Sequence, residues 1–244
     1  MLYMRNIELS IKEIEKYASE YSEILHNSKP KKIQKVENIF SGPSIYFHRK
    51  AIFRSRRRKD FLSDRHLEYI YAALASWGMH RLGPSETKLA DYELFKKSIR
   101  QSRDVLKALK VRFKNKTPKV NEEFIKEYMA RIRKAFNAMV VSTSNSHLVA
   151  NSKVLHHIIP SIFTPIDRRY TLTFFHKSVP PAKKKQFQVF WNLTLIMLKM
   201  IQDAKVKKIL QKKKNKRFNT SILKKLDNAI IEWVKIKKKK KKKK

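Results

Sequence analysis

The chain has no cysteine and only three glycines, at positions 42, 78 and 83. The first absence excludes disulfides and thiolate metal sites, zinc fingers among them, and suits a reducing, cytoplasmic setting. The second leaves no glycine-rich loop to cradle nucleotide phosphates and no nucleophile elbow, so NTP hydrolysis and serine-hydrolase chemistry are not expected, nor is any cofactor. Long apolar runs are missing as well. The longest candidate, residues 187–201, is interrupted by Gln188, Asn192, Thr194 and Lys199, and it falls short of the roughly 18 to 20 residues of a membrane span. The first residues alternate charge with apolar side chains, unlike a signal peptide.

Acidic residues are scarce. Asp and Glu number 20 against 58 Lys and Arg, a net charge of +38, and +30 without the eight terminal lysines. A polyanion is the natural partner. With 42% apolar residues over 244 positions, the chain can also bury a real core.

The apolar positions recur at three and four residues, the period of helices, and no alternating strand pattern or internal repeat is present. Ile7, Ile11, Ile14, Ala18, Tyr21 and Leu25 form one helical face. A short segment around Ile33, Val36 and Phe40 is expected to stop at Ser41-Gly42-Pro43, where a loop begins. Ser63 or Asp64 heads a helix through Trp77, with Gly78 as a packing point. Residues 89–109 carry one helix or a pair, Asn121 heads another, and 142–146 reads as a loop. A strongly apolar helix follows Pro180-Pro181, and a last one, headed by Thr220 or Ser221, carries Ile222, Leu226, Ile230 and Trp233. The expected fold is all-α: a multi-helix domain in one body or two lobes (1–141 and 147–236), ending in a disordered poly-Lys tail, 237–244.

Two stretches carry chemistry. Residues 44–61 interleave Arg49, Lys50, Arg54, Arg56, Arg57, Arg58 and Lys59 with Tyr46, Phe47, Phe53 and Phe61. Arginine forks grip phosphates and aromatics stack on unpaired bases, so nucleic-acid binding is expected there. A solvated charge run with a few core aromatics is the plainer reading. The second stretch, residues 151–175, sets Lys153, His156, His157 and Asp167 among Val154, Leu155, Ile158, Ile159, Ile162, Phe163 and Ile166, where ionisable groups can be buried and chemically useful. Adjacent histidines on a helix point about 100° apart, which argues against a shared metal. Asp167 could simply cap the helix expected over residues 168–175, and Arg168 and Arg169 could bind phosphate at its start. Trp77, Met79, His80 and Arg81 make a smaller cluster.

The order LVANSKVLHHIIPSIFTPIDRRY resembles the helix-hairpin-helix DNA glycosylases over about a tenth of the chain. That resemblance implies a hairpin at residues 148–152 whose Asn151 and Ser152 approach a DNA phosphate, a nucleophilic Lys153, and an assisting Asp167 after Pro165. The segments GPSIYFH, WGMHR and PIDRRYT also resemble those of an uncharacterised protein family, which implies no activity. Three functional classes follow. The first is a nucleic-acid-binding protein, DNA before RNA. The second is a glycosylase or lyase using Lys153 and Asp167. The third is a protein-interaction or membrane-surface protein steered by the polybasic tail.

Overall fold

A computed structural model describes residues 8–27, 42–79, 88–114, 116–144, 147–180, 182–211 and 219–241, with the side chains of 239–241 left aside. The expectations placed on 33–41 and on His80 and Arg81 lie outside these residues. The described residues form eleven α-helices and no strand; one isolated bridge pairs Leu89 with Ser142.

The helices are α1 (Ile11–Asn27), α2 (Pro43–Arg56), α3 (Asp64–Leu74), α4 (Tyr92–Arg100), α5 (Arg103–Phe113), α6 (Glu122–Ala138), α7 (His147–Ile158), α8 (Thr171–Phe174), α9 (Lys183–Met200), α10 (Ala204–Gln211) and α11 (Ile222–Lys241). Most begin where capping chemistry places them. Ser63 Oγ accepts from the His66 amide at the head of α3, Asn121 Oδ1 from Phe124 N at α6, and Ser221 Oγ from Lys224 N at α11.

Three expectations are corrected. Gly42-Pro43 opens a helix and not a loop. Proline suits the first helical position because its missing N–H has no intrahelical partner there, and Gly42 takes the positive φ of 68° that the turn requires. The terminal lysines are helical to Lys241, since lysine is a good helix former and its charge suits the C-terminal end of the helix dipole. The helix expected over 168–175 shortens to α8, because residues 168–170 form a turn.

Helix α9 organises the core. Most of its residues are buried, polar Gln186, Asn192 and Thr194 included, as expected of a helix apolar on nearly all sides. It packs against α1, α6 and α7. Two of its buried polar side chains have clear partners: Thr194 Oγ1 donates to the Phe190 carbonyl one turn back, and Gln186 Oε1 accepts from Leu148 N, capping α7 from outside. One hydrophobic cluster runs from Leu9 to Val234 with side chains from both halves of the chain, so the 142–146 segment does not divide two cores. Phe136, Phe163, Phe187 and Phe190 interlock at its centre, with ring centroids of Phe136 and Phe190 at 4.9 Å.

Phe190 is fully buried among these rings. Phe190→Ala is expected to cost about 3 to 5 kcal/mol in urea unfolding, because the site cannot collapse around the lost ring.

Candidate nucleic-acid interface and buried polar centre

Helix α2 has two contrasting faces. Ser44, His48, Ala51, Ile52 and Ser55 point inward and are buried, so the other face is left to solvent. Tyr46, Arg49, Lys50, Phe53, Arg56 and the capping Arg57 lie there, within a sector about 120° wide at 100° per residue. Tyr46 and Phe53 are 51% and 53% exposed, unusual for aromatics of a helix packed on a core. Each ring sits beneath a cation: Lys50 Nζ lies 5.4 Å from the Tyr46 ring centre and the Arg57 guanidinium 5.4 Å from that of Phe53. Aromatics and cations therefore share one outward face.

The cations differ in their freedom. Arg54 and Arg57 reach Asp60 at 3.0 and 3.3 Å, and Arg54 also lies over Tyr69, which leaves it only 20% exposed along its side chain. Arg54 thus builds the corner after α2 more than it faces solvent. Arg49, Arg56, Arg58 and Lys59 are exposed. Lys110 closes the same corner, donating to the carbonyls of Ser55 and Arg57. Burial pushes its amine down to about 8. Arg168 and Arg169 are exposed on the turn before α8, a separate element, with Arg169 over Tyr170.

Behind α2 lies the second site. His48, His66, His156 and His157 are all buried, and their hydrogen bonds fix their tautomers. The Lys153 carbonyl can only accept, so His157 Nδ1 donates to it at 2.7 Å and His157 Nε2 is an acceptor. His48 Nδ1 therefore donates to that Nε2 at 3.0 Å, and His48 Nε2 accepts from Thr220 Oγ1 at 2.9 Å. By the same logic His66 accepts from Leu62 N at Nδ1 and donates from Nε2 to the His157 carbonyl, and His156 Nδ1 donates to the Phe163 carbonyl. All four rings are neutral. Burial is the main cause holding each below its ordinary pKa, His66 to about 4 and His157 to about 3. Both members of the adjacent pair are buried and hydrogen-bonded, and among the described residues no group of three His, Asp or Glu could hold a metal ion.

Beside this chain stands an ionic group. Lys153 is 8% exposed, with its Nζ 4.0 Å from Asp167 Oδ2 and 5.5 Å from the Trp77 ring centre. Burial lowers its pKa against the opposing pull of Asp167. Lys224 donates to Asp227 Oδ2 at 2.5 Å and lies on the same indole. Thr171 Oγ1 accepts from Asp167 N and donates to Asp227, whose carboxyl is pushed up by burial against the pull of Lys224. The sequence pairing of Lys153 with Asp167 is thus a spatial neighbourhood. Asp167 also accepts from the amides of Arg169 and Tyr170, the capping role expected of it, here for a turn.

The expected hairpin is absent. Residues 148–152 are the interior of α7, and nothing in Ala150-Asn151-Ser152 forces the chain to turn. Asn151 and Ser152 are fully buried: Asn151 donates to the Phe136 carbonyl, while Ser152 donates to Val149 O and accepts from Ile166 N. Neither is presented to a phosphate. Sequence reasoning missed His48, Lys224 and Asp227. The signal for the last two was an i, i+3 charge pair set inside the apolar face of α11. His48 carried no such signal, since it was read as part of a cationic surface run.

Comparison with protein-family models, curated proteins and solved structures found no match.

Neutral buried histidines give stability a definite pH dependence. Below about pH 6.5 the unfolded chain takes up protons that the folded chain refuses, so stability falls with pH by up to about 1.4 kcal/mol per unit per histidine, down toward the lowered values. Asp227, with its raised carboxyl, offsets part of this at the acid end. The expected outcome is a melting temperature nearly level between about pH 7 and 8, below the window in which the lowered Lys110 amine titrates, that drops between pH 6.5 and 4.5; a level curve across the lower window would contradict the assignment.

Proposed function

We propose that this protein binds nucleic acid through the outward face of α2, with a preference for unpaired strands. The observation that carries this reading is the pairing of two half-exposed aromatics with cations on one face. A purely solvated charge run has no use for Tyr46 and Phe53 in water, whereas unpaired bases stack on such rings while cations take the phosphates between them. The hairpin that motivated a preference for DNA over RNA is gone, so strandedness is the sharper expectation.

A second reading rests on Lys153. Its amine is buried, held below its ordinary pKa by that burial, and 4.0 Å from a carboxylate, the kind of environment a lysine nucleophile uses. Under this reading the protein is a DNA glycosylase or lyase in which Lys153 attacks the sugar and Asp167 assists.

For the first reading, Tyr46→Ala and Phe53→Ala should each weaken single-stranded binding about five- to a hundredfold, since stacking contributes about 1 to 3 kcal/mol per base, and leave the salt slope unchanged. With one phosphate to each of the exposed Arg49, Lys50, Arg56, Arg57, Arg58 and Lys59, the wild-type slope should be about −4 on a single strand. Mutants that bind like wild type would remove the stacking claim. For the second, borohydride should trap the chain on abasic DNA, and Lys153→Ala should abolish trapping; no trapped product from the wild type ends that reading.

A further inference from the structure

At the C-terminal end of α2 a pocket of about 250 Å³ opens between Arg56, Thr117, Pro160, Ser161, Ser221 and Ile222. That volume far exceeds the roughly 10 to 15 Å³ that admits one water. Its lining bears one cation, three hydroxyls and no carboxylate. Arg56 is anchored rather than waving: its Nη2 donates to the Thr220 carbonyl, leaving further guanidinium N–H groups for a ligand. Thr220 is itself fixed by its hydroxyl bond to His48, so this wall of the pocket is tied to the buried histidine chain.

Two independent features point to an anion. Ser221 and Ile222 are the head of α11, a helix of 20 residues, where the first amides have no intrahelical acceptor and the dipole favours negative charge. Ser161 is 6% exposed, and its Oγ has no hydrogen-bond partner although it lines the pocket. A buried hydroxyl without a partner is costly. A ligand oxygen in the pocket would satisfy it.

We propose that this pocket binds a phosphate group, held by Arg56, the Ser161 hydroxyl and the first amides of α11. Resting on the nucleic-acid reading above, the occupant is one phosphate of the strand that lies along α2, since Arg56 belongs to the same outward face as Arg49 and Phe53.

The test uses the full chain as wild type, Ser161→Ala and Arg56→Ala. Inorganic phosphate is titrated against chloride at constant ionic strength, with melting temperature as the readout, and a single-stranded oligonucleotide is titrated separately. Ser161→Ala removes no charge and only an unpartnered hydroxyl, so its fold should survive and general polyanion attraction should not change. Phosphate should stabilise the wild type beyond chloride, with apparent affinity reduced about tenfold or more in Ser161→Ala and more in Arg56→Ala. An identical phosphate response in wild type and Ser161→Ala overturns the pocket. If the oligonucleotide binds wild type and Ser161→Ala equally, the strand does not use the pocket, while the α2 reading stands. If phosphate binding depends on Ser161 but no oligonucleotide binds, the pocket serves a free phosphate or small phosphate ester and the nucleic-acid reading fails.

Discussion

A directional chain of hydrogen bonds, from the Thr220 hydroxyl through His48 and His157 to the Lys153 carbonyl, fastens α11, α2 and α7 to one another. Each imidazole is a donor on one side and an acceptor on the other, which is possible only while all are neutral. Burial enforces that neutrality, and neutrality makes the burial tolerable. The arrangement sets where α2 can lie: its inner face must present His48 to α7, and so its outer face must present Tyr46, Lys50 and Phe53 to solvent.

The same chain connects the three places where chemistry gathers. Thr220 bonds His48 through its side chain and Arg56 through its carbonyl, joining the buried centre to the pocket wall. The His157 ring lies tilted against Trp77, at 5.0 Å between ring centres, and Trp77 carries Lys153 and Lys224 on its ring. Two ammonium groups, two carboxylates and an indole therefore share a small volume behind a basic surface. Taking such charges out of water is costly unless they are paired, and here Lys224 with Asp227 and Lys153 with Asp167 are the pairs.

A core that accepts so many polar groups needs apolar support elsewhere, and α9 supplies it. Its phenylalanines and Trp191 fill the centre, while α1 closes the opposite side with Tyr21 against Phe174 and Phe175. Ion pairs such as Lys199 with Glu15 sit at the rim, where solvent leaves them little to contribute.

The helical period, the caps Ser63, Asn121 and Ser221, the apolar character of α9 and the excess of positive charge were all legible in the chain, because each depends on residues a few positions apart or on composition alone. So was the unusual concentration of ionisable groups in residues 151–175. An all-α protein with a strong excess of positive charge therefore follows from the order and kind of its residues alone. Which side chains meet depends on how the helices dock. His48 lies 109 residues from His157, and Asp227 lies 56 from Thr171. No local pattern marks such pairs, since they arise from how α2 and α11 dock on α7. The glycosylase-like hairpin failed for the complementary reason: an order of residue types along a chain does not fix the backbone that carries them. Residues 148–152 had an apolar core to fill and no glycine to turn on, so they continued as helix.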